Sequence, residues 1–139
     1  MAKGIKDKKA LVLGAGPVGM AAARKLIKFG ANVGVHDKDM EKCQKNCAEI
    51  NKSCEQKIEP VHDLKSVDKK FCFFLEATNA KDVIKSSMIG PRTFIAAPGV
   101  PLGVTQKGQK KADNRILYDP LQLGTAAMAV SAAFPIQRG

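Results

Sequence analysis

A glycine-rich turn between an apolar strand and an amphipathic helix constrains the fold of this chain more than any other feature. The turn is the hexapeptide Gly14-Ala15-Gly16-Pro17-Val18-Gly19. The apolar run from Lys9 to Leu13 before it predicts a buried strand. After it, apolar residues recur at helical spacing on one face, at Val18, Ala22, Leu26 and Phe29. Gly30 then ends the helix, so the turn joins a strand directly to a helix, as is typical of α/β domains.

The rest of the chain repeats this alternation of short apolar runs and helical periods. Further strands are predicted over residues 32–36, 58–61, 71–75, 93–97 and 116–118. Further helices are predicted over residues 39–50, 82–87, 104–112 and the uncharged stretch 121–134. This alternation predicts right-handed crossovers and a parallel sheet covered on both faces. We therefore expect a doubly wound, three-layer α/β fold in a single domain, 1–139, with no separate substrate domain.

Each glycine of the hexapeptide has a separate expected role. Gly14 allows a tight turn, Gly16 lets a diphosphate approach the backbone, and Gly19 lets the helix pack closely on the strand. The free amides and the positive end of the helix then hold the diphosphate. The spacing and its strand–helix context therefore predict a dinucleotide-binding site of the Rossmann type. A glycine turn that binds nothing is the simpler alternative, and the context argues against it.

An acidic residue, Asp37, follows the second predicted strand. A carboxylate at this position accepts hydrogen bonds from both hydroxyls of an adenosine ribose. We expect NAD as the cofactor, because a 2′-phosphate would meet a negative charge there. Lys38 comes directly after Asp37, so NADP stays an alternative.

The net charge of +10 raises nucleic acid as a partner, but the residue types argue against it. Lysines outnumber arginines and are scattered along the chain, there is no Trp, and there is one Tyr for base stacking. Apolar runs are too short to span a bilayer. We therefore expect a cytoplasmic chain with a lysine-rich solvated surface and neither nucleic acid nor membrane as a partner.

The four cysteines predict no metal site. Cys43 and Cys47 lie four residues apart on one helix face, which is a spacing that metal ligands use. The distances from there to Cys54 and Cys72 match no zinc finger or ribbon. Reduced structural thiols are the expected state.

Three motifs in the second half carry a resemblance to a known family. They are Glu76-Ala77-Thr78-Asn79, then Ala96-Ala97-Pro98-Gly99-Val100-Pro101, and the segment that starts at Asp119-Pro120-Leu121 and continues through Gly124-Thr125-Ala126 to Met128. Together they resemble the C-terminal half of the dehydrogenases of pyrrolysine biosynthesis. A weaker likeness extends to the cofactor domains of shikimate dehydrogenase and methylene-tetrahydromethanopterin dehydrogenase.

The resemblance implies an NAD-dependent oxidation of a terminal amine of methylornithyl-lysine, followed by ring closure with loss of ammonia. Gly14, Ala15, Gly16, Pro17, Val18, Gly19, Asp37 and Lys38 would bind the adenosine and diphosphate end. Ala77, Thr78 and Asn79 would flank the nicotinamide ribose, and Pro98, Gly99 and Gly124 would border the nicotinamide. Catalytic residues are left unassigned. His36 and His62 are expected to be surface or capping histidines. Asp119 is either an ordinary turn residue before Pro120 or, together with Asn79, positions a substrate amine.

Two functional hypotheses stay open, because the family carries a substrate-binding half ahead of its dinucleotide domain. The chain is either an NAD-dependent dehydrogenase or its cofactor domain, or a non-catalytic NAD(P)-binding module that acts as a sensor or a subunit. The expected partners are a small-molecule amine or a separate substrate-binding chain. The uncharged stretch 121–134 also leaves a homodimer open.

Overall fold

The computed structural model describes residues 6–53, 58–67, 71–78, 83–97, 104–112 and 115–117. Within these ranges the strands are β1 (Lys9–Leu13), β2 (Asn32–His36), β3 (Glu59–Pro60), β4 (Phe73–Glu76), β5 (Phe94–Ala96) and β6 (Ile116–Leu117). The helices are α1 (Pro17–Lys28), α2 (Met40–Asn51) and α3 (Gln106–Ala112), with short 3-10 helices at Leu64–Ser66 and Ser86–Met88. Among the residues described, no helix is long and apolar enough to cross a membrane.

The strands of the described ranges form one parallel sheet in the order β3-β2-β1-β4-β5-β6. This order is that of the Rossmann fold, and it confirms the predicted doubly wound sheet. The chain reverses direction across the sheet between β1 and β4. Leu13 at the end of β1 lies level with His36 on one side and Glu76 on the other. The carboxyl ends of these three strands therefore meet at the switch point, where ligands bind in such folds.

Both faces of the sheet are covered, as the near-continuous apolar strands predict. On one face, Ala10 and Val12 of β1 belong to a buried cluster that includes Leu26 of α1 and Ile50 of α2. On the other face, Leu11 and Leu13 belong to a second cluster. Its members beyond the sheet include Ile84, Met88, Ile89, Val104 and Ala112. The predicted three-layer arrangement is confirmed.

The predicted core face of α1 is wrong at both ends. Ala22 and Leu26 are buried, but Val18 is 54% exposed and Phe29 is 42% exposed. Val18 lies to one side of the buried stripe of α1, which begins with Gly19 and Met20 in the first turn. Phe29 follows the last helical residue with φ −85° and ψ 4°, so it no longer continues the helical stripe.

The short helix predicted over residues 82–87 is also wrong where the structure describes it. Ile84 is fully buried and pairs with Val104 in an isolated parallel bridge. The carbonyl of Ile84 accepts a 3.0 Å hydrogen bond from the backbone N–H of Thr105. Lys85 is extended, and one 3-10 turn follows at Ser86–Met88. A tertiary pairing with a distant segment has overridden the local helical spacing. The helix predicted over 121–134 lies outside the described residues.

Candidate functional site

The loop after β1 has a backbone that requires glycine at its first position. Gly14 has φ +107°, a region that side chains rarely adopt. A Cβ atom there would also lie 2.6 Å from the carbonyl oxygen of Ala77, in the loop after β4. The N–H of Gly14 donates a 2.7 Å hydrogen bond to the carbonyl of His36. The turn is thus held between the ends of β2 and β4.

Gly19 is a packing glycine. A Cβ at this position would lie 1.8 Å from the carbonyl oxygen of Gly14 and 3.3 Å from Cγ1 of Val12. The first turn of α1 therefore approaches the end of β1 more closely than any side chain allows. This close approach is the role that the sequence predicts for Gly19.

Gly16 differs from both, because no atom of the described residues, apart from its own chain neighbours, lies within 4 Å of the place where its Cβ would be. It precedes the 12-residue helix α1 with extended backbone angles, φ −78° and ψ −174°, that any residue can adopt. No described side chain caps this helix end, and its first turn holds no acidic residue. The open space above Gly16 is a cradle that a side chain would fill and that suits a bound diphosphate.

The carboxylate of Asp37 lies beside this loop. Oδ2 accepts a 2.8 Å hydrogen bond from the N–H of Ala15 and lies 3.3 Å from Nζ of Lys42. Oδ1 accepts a 2.9 Å bond from the N–H of Asp39. Burial by itself would raise the pKa of Asp37, but these donors together hold it below its ordinary value. Asp37 is therefore an ionised acceptor at the end of β2.

These features border a cavity of about 400 Å³ at the carboxyl edge of the sheet. Its lining residues come from the ends of β1, β2 and β4 and from the segments that follow: Leu13, Gly14, Gly16, His36, Asp37, Lys38, Lys42, Ala77, Thr78 and Val83. The structure thus brings together six of the residues predicted to bind a cofactor, Gly14, Gly16, Asp37, Lys38, Ala77 and Thr78.

Of the other predicted site residues, four are described by the structure and four are not. Ala15 and Gly19 are buried beneath the turn, whereas Pro17 and Val18 are exposed at the start of α1. Asn79, Pro98, Gly99 and Gly124 lie outside the described residues.

Lys42 is a cavity residue that the sequence reasoning missed. Asp39 caps α2, because its Oδ1 accepts a 3.1 Å hydrogen bond from the N–H of Lys42. This places Lys42 in the first turn of α2, where its ammonium reaches back to Asp37. The predicted N-cap at Asp39 could have pointed to Lys42, because a residue in the first turn of a helix lies close to the end of the strand that precedes it.

A second cavity of about 640 Å³ adjoins the first and shares His36 and Val83 with it. Nδ1 of His36 donates a 2.7 Å hydrogen bond to the carbonyl of Val61, just after β3. His62 and Leu64 line this cavity on the same side. His36 is therefore a capping histidine that joins the ends of two strands, as expected.

Glu76 ends β4 and is 5% exposed. Its Oε1 accepts a 2.9 Å hydrogen bond from the N–H of Thr78, which shapes the short loop that lines the cavity. Burial raises the pKa of Glu76, and the Thr78 N–H offsets this only in part. Glu76 is a second residue that the site reasoning did not single out.

Cys43 and Cys47 are buried free thiols on the inner face of α2. Sγ of Cys43 donates to the carbonyl of Val35 at 3.3 Å, and burial raises the pKa of Cys47 to about 12. Their predicted structural role is confirmed. In the part of the chain that the structure describes, no group of three or more potential metal ligands comes together.

The fold and this site define a dinucleotide-binding domain of the dehydrogenase class. The parallel sheet, the glycine turn at the switch point and the acidic residue after β2 are its elements. More specifically, the chain belongs to the family of the alanine dehydrogenase/PNT C-terminal domain, whose model matches residues 1–99.

The predicted resemblance to a protein of pyrrolysine biosynthesis is confirmed by one group of relatives, and other relatives share part of the sequence or the fold. Pyrrolysine synthase of Methanosarcina acetivorans is 28% identical over 125 residues, which cover 90% of this chain and 45% of that protein. A glutamyl-tRNA reductase of Campylobacter jejuni is 35% identical over 86 residues, 61% of this chain and 19% of that one. Shikimate dehydrogenase from Aquifex aeolicus shares the fold, with a TM-score of 0.69 at 22% identity, over 91% of this chain and 48% of the other. The chain spans less than half the length of each of these proteins.

Proposed function

We propose that this chain binds NAD at the glycine turn and serves as the cofactor-binding part of a dehydrogenase similar to pyrrolysine synthase. The observation that carries the proposal is the open space at Gly16. Gly14 and Gly19 are glycines because neighbouring backbone would collide with a side chain, but no described residue beyond its chain neighbours crowds Gly16. A glycine at that position therefore leaves room for something other than the protein.

The positive end of α1 supplies the attraction at this cradle. Helix N-termini carry unpaired N–H groups and a partial positive charge that favour phosphate. No described acidic side chain in the first turn of α1 opposes an anion there. The bonds from Gly14 to His36 and from Ala15 to Asp37 tie the turn to the end of β2, and the N–H groups of Gly14 and Ala15 are therefore occupied within the protein.

The two flanks of the cavity suggest which ends of the dinucleotide they bind. Asp37 and Lys38 would hold the adenosine ribose, and Ala77 and Thr78 would flank the nicotinamide ribose. Asn79, Pro98, Gly99 and Gly124 complete the proposed set on the nicotinamide side. Bound NAD would supply the hydride acceptor, and the residues of this chain would orient it at the carboxyl edge of the sheet.

The relationship to pyrrolysine synthase suggests an amine as the substrate. Hydride transfer requires that the substrate be held within near-attack distance of the nicotinamide. We propose that this holding falls to a substrate-binding part outside the described residues, as another segment or as a separate chain.

Calorimetric titration with NAD, NADH and NADPH tests the proposed binding. A Gly16→Val variant should bind NAD at least about tenfold more weakly, because its side chain fills the cradle, while its free energy of unfolding without ligand falls by no more than about 1 kcal/mol, the cost of a poorer N-cap. Ala48→Val, at an exposed position of α2, is the matched control and should bind like the unmodified chain. Binding of none of the three dinucleotides at millimolar concentration, or full affinity in Gly16→Val, would overturn the proposal.

A second measurement separates the enzyme from a non-catalytic binding module. The full protein, with any substrate-binding chain that accompanies it, is mixed with NAD and methylornithyl-lysine, and formation of NADH is followed by absorbance. NADH formation supports the dehydrogenase. Tight NAD binding without turnover would instead support the module that senses the cofactor.

A further inference from the structure

Lys42 forms the described ion pair closest to the glycine turn. Its Nζ lies 3.3 Å from Oδ2 of Asp37, and its side chain is 47% exposed whereas that of Asp37 is 10% exposed. Because Lys42 also lines the cavity, its ammonium lies at the same edge of the site as the carboxylate.

The carboxylate of Asp37 is already largely occupied. A carboxylate offers about four acceptor positions, two on each oxygen. Both acceptor positions of Oδ2 are taken, one by the N–H of Ala15 and the other by the ammonium of Lys42. One acceptor position of Oδ1 is taken by the N–H of Asp39. Two ribose hydroxyls that both donate to Asp37 would need two positions, so they compete with Lys42.

The charge at this position is also not that of a bare carboxylate. Lys42 neutralises Asp37 at short range, and Lys38 adds a second cation to the lining of the same cavity. The repulsion that an acidic residue after β2 exerts on a 2′-phosphate is therefore offset here by the ammonium of Lys42.

We propose that Lys42 is a specificity-determining residue that lets the site accept a dinucleotide with a 2′-phosphate as well as one without. This inference rests on the proposed dinucleotide binding. When the 2′-hydroxyl of a ribose donates to Asp37, it displaces the ammonium of Lys42 from its acceptor position on Oδ2. In the presence of a 2′-phosphate, Lys42 keeps its place near Asp37 and meets a second anion. Lys42 thus lowers the preference for NAD that Asp37 alone would impose.

The test is a pair of dissociation constants, for NAD and for NADP, measured by calorimetry at low ionic strength. In Lys42→Gln the ratio of the NADP constant to the NAD constant should rise by about tenfold. NADP binding weakens because the cation is lost, and NAD binding holds or tightens because an acceptor position is freed. Lys42→Arg should retain the ratio of the unmodified chain, since it keeps the positive charge.

Lys45→Gln is the matched control, because Lys45 is an exposed lysine of the same helix that does not line the cavity. It should leave the ratio unchanged within about twofold. Equal weakening of both cofactors in Lys42→Gln, or an unchanged ratio, would overturn the inference while leaving the proposed function intact. Failure of the unmodified chain to bind either cofactor would instead overturn the proposed function.

Discussion

The backbone N–H of Ala15 donates a 2.8 Å hydrogen bond to the carboxylate of Asp37. This bond joins the glycine turn after β1 to the residue that follows β2. Asp37 therefore has a structural role, as the acceptor that fixes the glycine turn, besides its proposed contact with a ribose. The structural role and the proposed ribose contact both depend on the same ionised carboxylate.

Replacing Asp37 with Ser should change both the stability of the fold and the binding of the cofactor. Loss of the acceptor for Ala15 and Asp39 should lower the free energy of unfolding by about 1–3 kcal/mol. The same change should weaken NAD binding relative to NADP, because the ribose loses its acceptor and the phosphate loses a repulsive charge. Urea unfolding and calorimetric titration measure the two effects. An unchanged preference between NAD and NADP would contradict the role of Asp37 in the site.

Replacing Gly19 with Ala should destabilise the fold. The added methyl would lie 1.8 Å from the carbonyl oxygen of Gly14, so α1 must move away from β1. We expect a loss of about 1–3 kcal/mol or more in the free energy of unfolding, as for other overpacked sites. Gly16→Ala is the control and should cost less, no more than about 1 kcal/mol for the poorer N-cap, because its methyl meets open space. Equal stability losses in the two variants would refute the distinction between a packing glycine and an open one.

The contribution of Glu76 to stability should depend on pH. Burial raises its pKa in the folded chain, so the folded state binds this proton more tightly than the unfolded state does. Its contribution is therefore largest below the ordinary glutamate pKa of 4.5 and falls as the pH rises through the folded-state pKa.

Glu76→Gln keeps an oxygen that can accept from the N–H of Thr78 and carries no charge at any pH. The variant should gain in stability relative to the unmodified chain as the pH is raised. Denaturant unfolding at several pH values measures this, with Glu59→Gln, at an exposed position of β3, as the matched control. A stability difference that is constant with pH would argue against a raised pKa.

Cys47 should resist thiol reagents while the chain is folded. Its pKa of about 12 leaves almost no thiolate at pH 8, and it is 1% exposed. Labelling followed by peptide mapping in a mass spectrometer should show modification of the half-buried Cys72 well before that of Cys47. Labelling of Cys47 should accelerate when urea unfolds the chain. Rapid modification of Cys47 under native conditions would show that α2 opens readily from the sheet.

Local patterns predicted most elements of the fold, but they failed at particular places. Leu26 follows the helical period and is buried, whereas Val18 and Phe29 follow the same period and are exposed. Val18 lies beside the buried stripe of α1, and Phe29 follows the last helical residue. The sequence around Ile84 predicts a helix, yet the backbone of Ile84 pairs with Val104. A pairing between segments that far apart leaves no trace in a local window.

The sequence by itself determined the order of the first four strands with α1 and α2, the glycine turn and the acidic residue after the second strand. These depend on periodicity and on the conformational freedom of glycine, which act over a few neighbouring residues. Tertiary structure alone decided that Lys42 neutralises Asp37, that Glu76 is buried beside the cavity, and that Gly16 faces open space while Gly14 and Gly19 do not. The physical reason is that each of these properties depends on atoms brought by other strands and helices, whose spacing is set when the parallel sheet assembles.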